Sequence, residues 1–246
     1  MIDIHAHILP GIDDGAVDME TTLEMAEMAA ASGVRYLVAT PHCNIPGMYK
    51  NYRDDNLIKA YLEVKKAVED ARIPIQIVPG MEIYATKDLP ELLKENKLIG
   101  LNGTKYLLME FDFEEDPKFC RSILQSCKEL GYMPIIAHPE RYYFVQRHPG
   151  VAFEWFENGY HLQINKGSVL GRFGRTARRI AHLLLEENVV CCIASAAHSS
   201  WSRTPHMGEI WDYLEARYGE TYAYELLDEN PRRILQGFSL ETRIKE

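Results

Sequence analysis

Long apolar runs are missing from this chain. No stretch approaches the roughly 18–20 apolar residues of a membrane span, and the opening MIDIHAHILPG has neither a basic n-region nor a cleavage site. A cytoplasmic protein without membrane insertion is expected. Cysteine is sparse: Cys43, Cys120, Cys127, Cys191 and Cys192 form no Cys-x-x-Cys pair and read as reduced packing residues. None starts a Cys-x5-Arg loop, since the residue at that offset from Cys43 is Tyr49, so a thiolate nucleophile is disfavoured. Excess positive charge is absent too: 27 Lys+Arg face 36 Asp+Glu, a formal charge of −9, which argues against a nucleic-acid partner. With no repeat, low-complexity tract or composition break, residues 1–246 read as a single domain.

What is present is a regular alternation. Strands are expected at Met1–Ile8, Val34–Thr40, Ile75–Ile83, Lys105–Phe111, Met133–His138, Tyr160–Asn165 and Val189–Ser195. Helices are expected at Asp18–Ser32, Arg53–Ala71, Lys87–Asn96, Pro117–Gly131, Pro149–Asn158, Arg172–Asn188 and Pro205–Tyr218. Gly33, Gly131 and Asn188 stand where helices stop. A last helix at Thr221–Asp228 should end before the Asn230-Pro231 break, with fraying beyond Phe238. Alternation of this kind means an α/β fold with a parallel sheet, doubly wound or closed into a barrel, because each parallel return needs a helical crossover.

The polar residues fall at the strand ends. His5 and His7 lie in the first strand, His42 follows the second, and Glu82 and Glu110 end the third and fourth. His138 and Asn165 end the fifth and sixth, and His198 follows the seventh. In parallel α/β folds the carboxyl ends of the strands carry the site. A cluster of His, Asp and Glu without thiolates suits Mn²⁺, Fe²⁺ or Zn²⁺. His5 and His7, two apart on a strand, point to one face. Any one of these histidines alone is more often structural; the set together is not.

From MIDIHAHILPGIDDG through PGMEIY, HPERY and RTPHM to ENPRRIL, the chain resembles the PHP (polymerase and histidinol phosphatase) superfamily. Within it, the resemblance is to the bacterial manganese-dependent protein-tyrosine phosphatases of the CpsB/YwqE kind. It implies a distorted (β/α)7 barrel of the PHP type, with three divalent metal ions at the carboxyl ends of the strands. It further implies that His5, His7 and Glu82 hold one ion, Glu82 bridging, that Glu110 and His138 hold a second, and that Asp14, His42 and His198 hold a third. Arg141 and Arg203 resemble the phosphate-orienting arginines, so that Arg141, Arg203 and His42 are the catalytic candidates; Asp3 has a supporting place. The implied activity is hydrolysis of phosphotyrosine on the tail of a bacterial tyrosine kinase of exopolysaccharide or capsule synthesis, at the inner face of the membrane.

One position departs from the pattern. Where the resemblance implies Ser-Asp-x-His, the chain reads Ser195-Ala196-Ala197-His198. Alanine cannot coordinate a metal, so this is either a deliberately disabled form or a natural variant of weakened catalysis. Three alternatives remain open from sequence: a small-molecule phosphomonoesterase of the histidinol-phosphatase type, a metal amidohydrolase, and a phosphoprotein-binding module. The run Arg172, Arg175, Arg178 and Arg179 reads either as a solvated helix face paired with Glu186 and Glu187 or as a dock for an acidic tail. Tyr142 and Tyr143, directly after Arg141, are candidates for stacking on a substrate ring.

Overall fold

A computed structural model describes residues 1–240. Its strands are β1 (Ile2–Ala6), β2 (Tyr36–Ala39), β3 (His42–Cys43), β4 (Gln76–Pro79), β5 (Glu82–Tyr84), β6 (Tyr106–Glu110), β7 (Met133–Ala137), β8 (His161–Asn165) and β9 (Cys192–Ala194). The helices are α1 (Met19–Ala31), α2 (Asp55–Asp70), α3 (Leu89–Lys94), α4 (Pro117–Glu129), α5 (Tyr143–Arg147), α6 (Gly150–Glu157), α7 (Lys166–Val169), α8 (Gly174–Glu186), α9 (Gly208–Tyr218), α10 (Glu220–Tyr224) and α11 (Asn230–Gln236).

The expected strand Ile75–Ile83 is interrupted, and a short unexpected β3 follows the one expected at Val34–Thr40. Thr40-Pro41 separates β2 from β3 and Gly80-Met81 separates β4 from β5, since Pro41 has no N–H to give a ladder. The Thr40 hydroxyl instead takes the Ala6 N–H at 3.0 Å. The ladders run β1-β2-β4 and β3-β5-β6-β7-β8-β9, all parallel. Counting each interrupted strand once, seven staves follow chain order, and a parallel bridge between Ala6 and Ala197 joins the last to the first. The His7 N–H donates to Ala197 O there at 2.8 Å. The ring is distorted because β4 pairs with β2 alone.

Side chains alternate across each stave. Ile4, Val38, Leu108, Ile135 and Ala194 fill one buried cluster inside the ring, while Leu37, Leu107, Ile136 and Ile193 join the larger cluster under the helices. Each fully buried Ile or Leu contributes roughly 1.5–3 kcal/mol. Helix α2 shows how the outer layer is set. Asp54 caps it by accepting the Leu57 N–H at 2.8 Å, and Leu57, Tyr61, Val64 and Val68 form its buried stripe. Gly33, Gly131 and Asn188 have positive φ just past α1, α4 and α8, as their sequence positions imply.

Two expectations about the end of the chain change. Asn230-Pro231 opens α11 instead of stopping the helix: a π-helical turn at Glu225–Glu229 precedes it, and Pro231 sits in the first turn. Fraying beyond Phe238 does not describe the next residues either. The Tyr106 hydroxyl donates to Phe238 O at 2.9 Å and Arg233 donates to Ser239 O at 2.7 Å; residues 241–246 lie outside the described residues. No helix is long and apolar enough to cross a membrane among the described residues.

Candidate metal centre

The staves deliver their polar ends to one place. His5 Nε2 and His7 Nε2 face each other at 3.2 Å, and both reach Glu82 Oε2, at 3.0 and 3.2 Å. Glu82 also meets His42 Nδ1 at 3.3 Å and, through its other oxygen, His138 Nε2 at 2.8 Å. Glu110 stands 2.8 Å from His42 Nδ1 and 4.0 Å from His138 Nε2. Asp14 Oδ1 lies 3.5 Å from both His42 Nε2 and His198 Nε2.

Three groups have the spacing to hold a cation: His5, His7 and Glu82; His42, Glu82 and Glu110; and His7, Asp14, His42 and His198. The first equals the set the resemblance implies. The other two differ in detail, because His42 lies between Glu110 and Asp14 while His138 leans on Glu82.

Residues behind the ligands fix which nitrogen faces the centre. His5 Nδ1 donates to Gln163 Oε1 at 2.9 Å, His7 Nδ1 to Asp13 Oδ2 at 2.8 Å, and His198 Nδ1 to Ala196 O at 3.0 Å. Each ring therefore turns its Nε2 inward. Two Nε2 atoms 3.2 Å apart beside a carboxylate need a cation or a proton between them. This donor chemistry fits divalent metal ions.

The electrostatics agree. Burial alone would lower His7, but Asp13 and Glu82 outweigh it and raise it to about 10. His42 is raised against the same burial by Glu82 and Glu110. Burial would raise Glu82, yet His5 and His42 hold it well below the usual carboxylate range. Burial and the Glu82 charge push Glu110 up. Burial takes His138 down to about 4, and burial with His7 and Arg203 depresses His198. Without metal, Asp13 and Glu82 favour a proton on His7, and a cation would replace it.

Arg203 closes one side, its Nη1 3.1 Å from His198 Nε2, and Arg141 approaches across the Phe173 ring. Three residues here have left-handed backbone, His138, Ala196 and Arg203, at φ of 37°, 45° and 50°. Such conformations cost of order 1–3 kcal/mol and gather at functional sites. Ala196 is fully buried. Asp3 accepts the Ser195 N–H at 3.0 Å, tying β1 to β9.

Sequence reasoning passed over Asp13, Gln163 and Phe173. Asp13 was visible in Asp13-Asp14-Gly15, but nothing there distinguishes the carboxylate spent on His7, His42 N–H and Gly15 N–H from its neighbour. Two other expectations are revised. Tyr142 is fully buried with its hydroxyl on Ala137 O, so no substrate ring can stack on it. At the arginine run, Glu186 bonds Arg217 instead, and Arg172 bonds Glu209. All five cysteines are buried and free, as packing residues should be.

A family model for capsular polysaccharide synthesis, CpsB/CapC, matches residues 1–236. The chain belongs to the CpsB/CapC family. Among its relatives in that family, tyrosine-protein phosphatase YwqE of Bacillus subtilis (strain 168) is 36% identical over 236 residues, covering 96% of this chain and 92% of YwqE. Tyrosine-protein phosphatase CpsB of Streptococcus pneumoniae is 31% identical over 240 residues, 96% and 98% of the two chains. Crystallographic work describes YwqE and CpsB as metal-dependent tyrosine phosphatases, and a chain from it superposes with a TM-score of 0.92 at 35% identity over 100% of both chains. The lactonase Lmo2620 of Listeria monocytogenes, at TM-score 0.61 and 14% identity over 95% and 94% of the chains, shares the fold alone. The distorted PHP-type barrel of this family is thus the fold observed, with its candidate metal centre at the carboxyl ends of the staves.

Proposed function

We propose that this chain is a metal-dependent protein-tyrosine phosphatase whose substrate is the phosphotyrosine-bearing tail of a bacterial tyrosine kinase in capsule or exopolysaccharide synthesis. The observation that carries the reading is the set of inward-turned Nε2 atoms of His5, His7 and His198 around Glu82 and Asp14. Residues 1–246 act as one catalytic domain in the cytoplasm, drawn to the inner face of the membrane by the partner.

Three divalent ions, manganese preferred over iron or zinc, would be held there: one by His5, His7 and Glu82, a second by Glu110 and His138, and a third by Asp14, His42 and His198. Such ions would supply a nucleophilic water at neutral pH and neutralise phosphoryl charge. Arg141 and Arg203 bind the phosphoryl oxygens, a task that suits the planar guanidinium fork. Gln163 and Asp13 keep His5 and His7 in the tautomer that ligation needs. A phenolic leaving group, with a reference pKa near 10, makes little demand on a general acid.

Ala196 weakens this centre. Its φ of 45° favours aspartate over alanine on backbone grounds, in keeping with an oxygen ligand at this position in the active form. The test compares the chain with Ala196→Asp in hydrolysis of p-nitrophenyl phosphate and a phosphotyrosine peptide with Mn²⁺, metal content being measured on the same samples. The aspartate form should gain about 100-fold or more in rate and take up an extra ion. Two inert forms at full metal loading would sink the phosphatase reading.

A further inference from the structure

Arg141 and Arg203 are held by an unusual partner. The Arg141 guanidinium carbon lies 4.6 Å from the centre of the Phe173 ring and 5.1 Å from that of Phe113, so the guanidinium sits between two rings. Arg203 lies 5.7 Å from the same Phe173 ring. Neither arginine has a carboxylate within ion-pair distance among the described residues. Arg203 Nε is buried without a hydrogen-bond partner.

A carboxylate partner would use up guanidinium N–H groups, whereas an aromatic face holds the cation through its quadrupole and leaves the N–H edges free. One ring face thus serves two like charges, the guanidinium carbons of Arg141 and Arg203 lying 4.6 and 5.7 Å from its centre. The ring itself is seated with little slack. A Cβ on Gly167 would stand 2.7 Å from its Cε2, so only glycine lets the ring lie there. Gly171 and Gly174, at φ of 82° and 90°, turn the loop that carries it.

We propose that Phe173 is the positioning residue of a phosphate clamp, spacing the Arg141 and Arg203 guanidiniums so that the N–H groups not spent on His198 serve one phosphoryl group. The inference rests on the phosphomonoester reading above and goes beyond it by naming what sets the arginine geometry. Phe173 faces the two arginines, so its loss should change anion binding more than metal content.

The experiment uses the Mn²⁺-loaded chain with Phe173→Leu, which keeps bulk, and Phe173→Tyr, which keeps the ring. Calorimetry gives Kd for a phosphotyrosine peptide and for inorganic phosphate, with metal per chain and circular dichroism measured alongside. Leucine should raise both Kd values about tenfold, or about 1.4 kcal/mol. Tyrosine should remain within about twofold of the parent, and metal content should hold in both. In the Ala196→Asp background, leucine should raise KM for p-nitrophenyl phosphate and tyrosine should restore it. Equal Kd for leucine and parent, or equal weakening by leucine and tyrosine, overturns the clamp while leaving the phosphatase reading intact. A fully loaded parent that binds no phosphotyrosine peptide overturns both.

Discussion

Glu140 is fully buried, and its Oε1 accepts the Asn165 N–H at 3.0 Å and the Ser168 hydroxyl at 2.6 Å while Oε2 has no partner. Burial raises it to about 7 from an ordinary 4.5. Between those values the folded chain keeps a proton that the unfolded chain has released. The stabilisation is therefore full below about 4.5 and is lost as pH rises through about 7. Urea midpoints from pH 4.5 to 8 should fall relative to those of Glu140→Gln, whose amide does not titrate; parallel curves would show that the proton is not held. At this scale the sequence announced the ligands well, since His and Glu at strand ends carry their chemistry in their type. It was silent on Gln163 and Phe173, because an amide or a phenyl ring acquires a role only from what the fold sets beside it.

The segment after β1 shows how an element can govern the centre. His7 O accepts the Ala16 N–H at 3.0 Å, and a Cβ on Gly15 would lie 2.2 Å from that same oxygen. Backbone on both sides leaves nowhere to yield. Gly15→Ala should move the Asp13-Asp14 loop, reduce bound metal and cost about 1–3 kcal/mol of stability. Gly150→Ala, at the start of α6 with nothing within 4 Å of its Cβ, is the control and should change neither. Metal analysis and denaturation of both variants check the expectation, and an intact metal load in Gly15→Ala would refute it. Elements themselves were legible from period and punctuation. Gly80-Met81 broke one strand expected as continuous, β3 beyond Pro41 was not foreseen, and the π-helical turn carried a helix through Asn230-Pro231.

Across the whole molecule, the candidate ligands gather at one end of the ring. A cavity of about 880 Å³ opens at the amino ends of the staves, beside Ile2, Tyr36, Gln76 and Val78, and no histidine or carboxylate lines it. Volume alone would mislead here; the chemistry is at the opposite end. Because the ligands come from β1, β5, β6 and the exits of β2, β7 and β9, an ion bound there braces most of the ring. Manganese at about 100 times its Kd should add about 2.7 kcal/mol. The melting temperature should rise by roughly 5–10 °C and fall back with chelator. A flat melting curve with measured metal bound would contradict this. Parallel order was readable from strand–helix alternation, but the ring's closure rests on one bridge, Ala6 to Ala197, that no local pattern encodes.

That bridge also imposes a schedule on synthesis. His5 leaves the ribosome about 190 residues before His198, on the order of 10–40 s at ~5–20 residues per second. Throughout that interval the first stave has no last stave to close against, and the nascent chain holds only part of its ligand set. The centre is therefore assembled only once His198 has emerged, from residues about 190 positions apart in the chain.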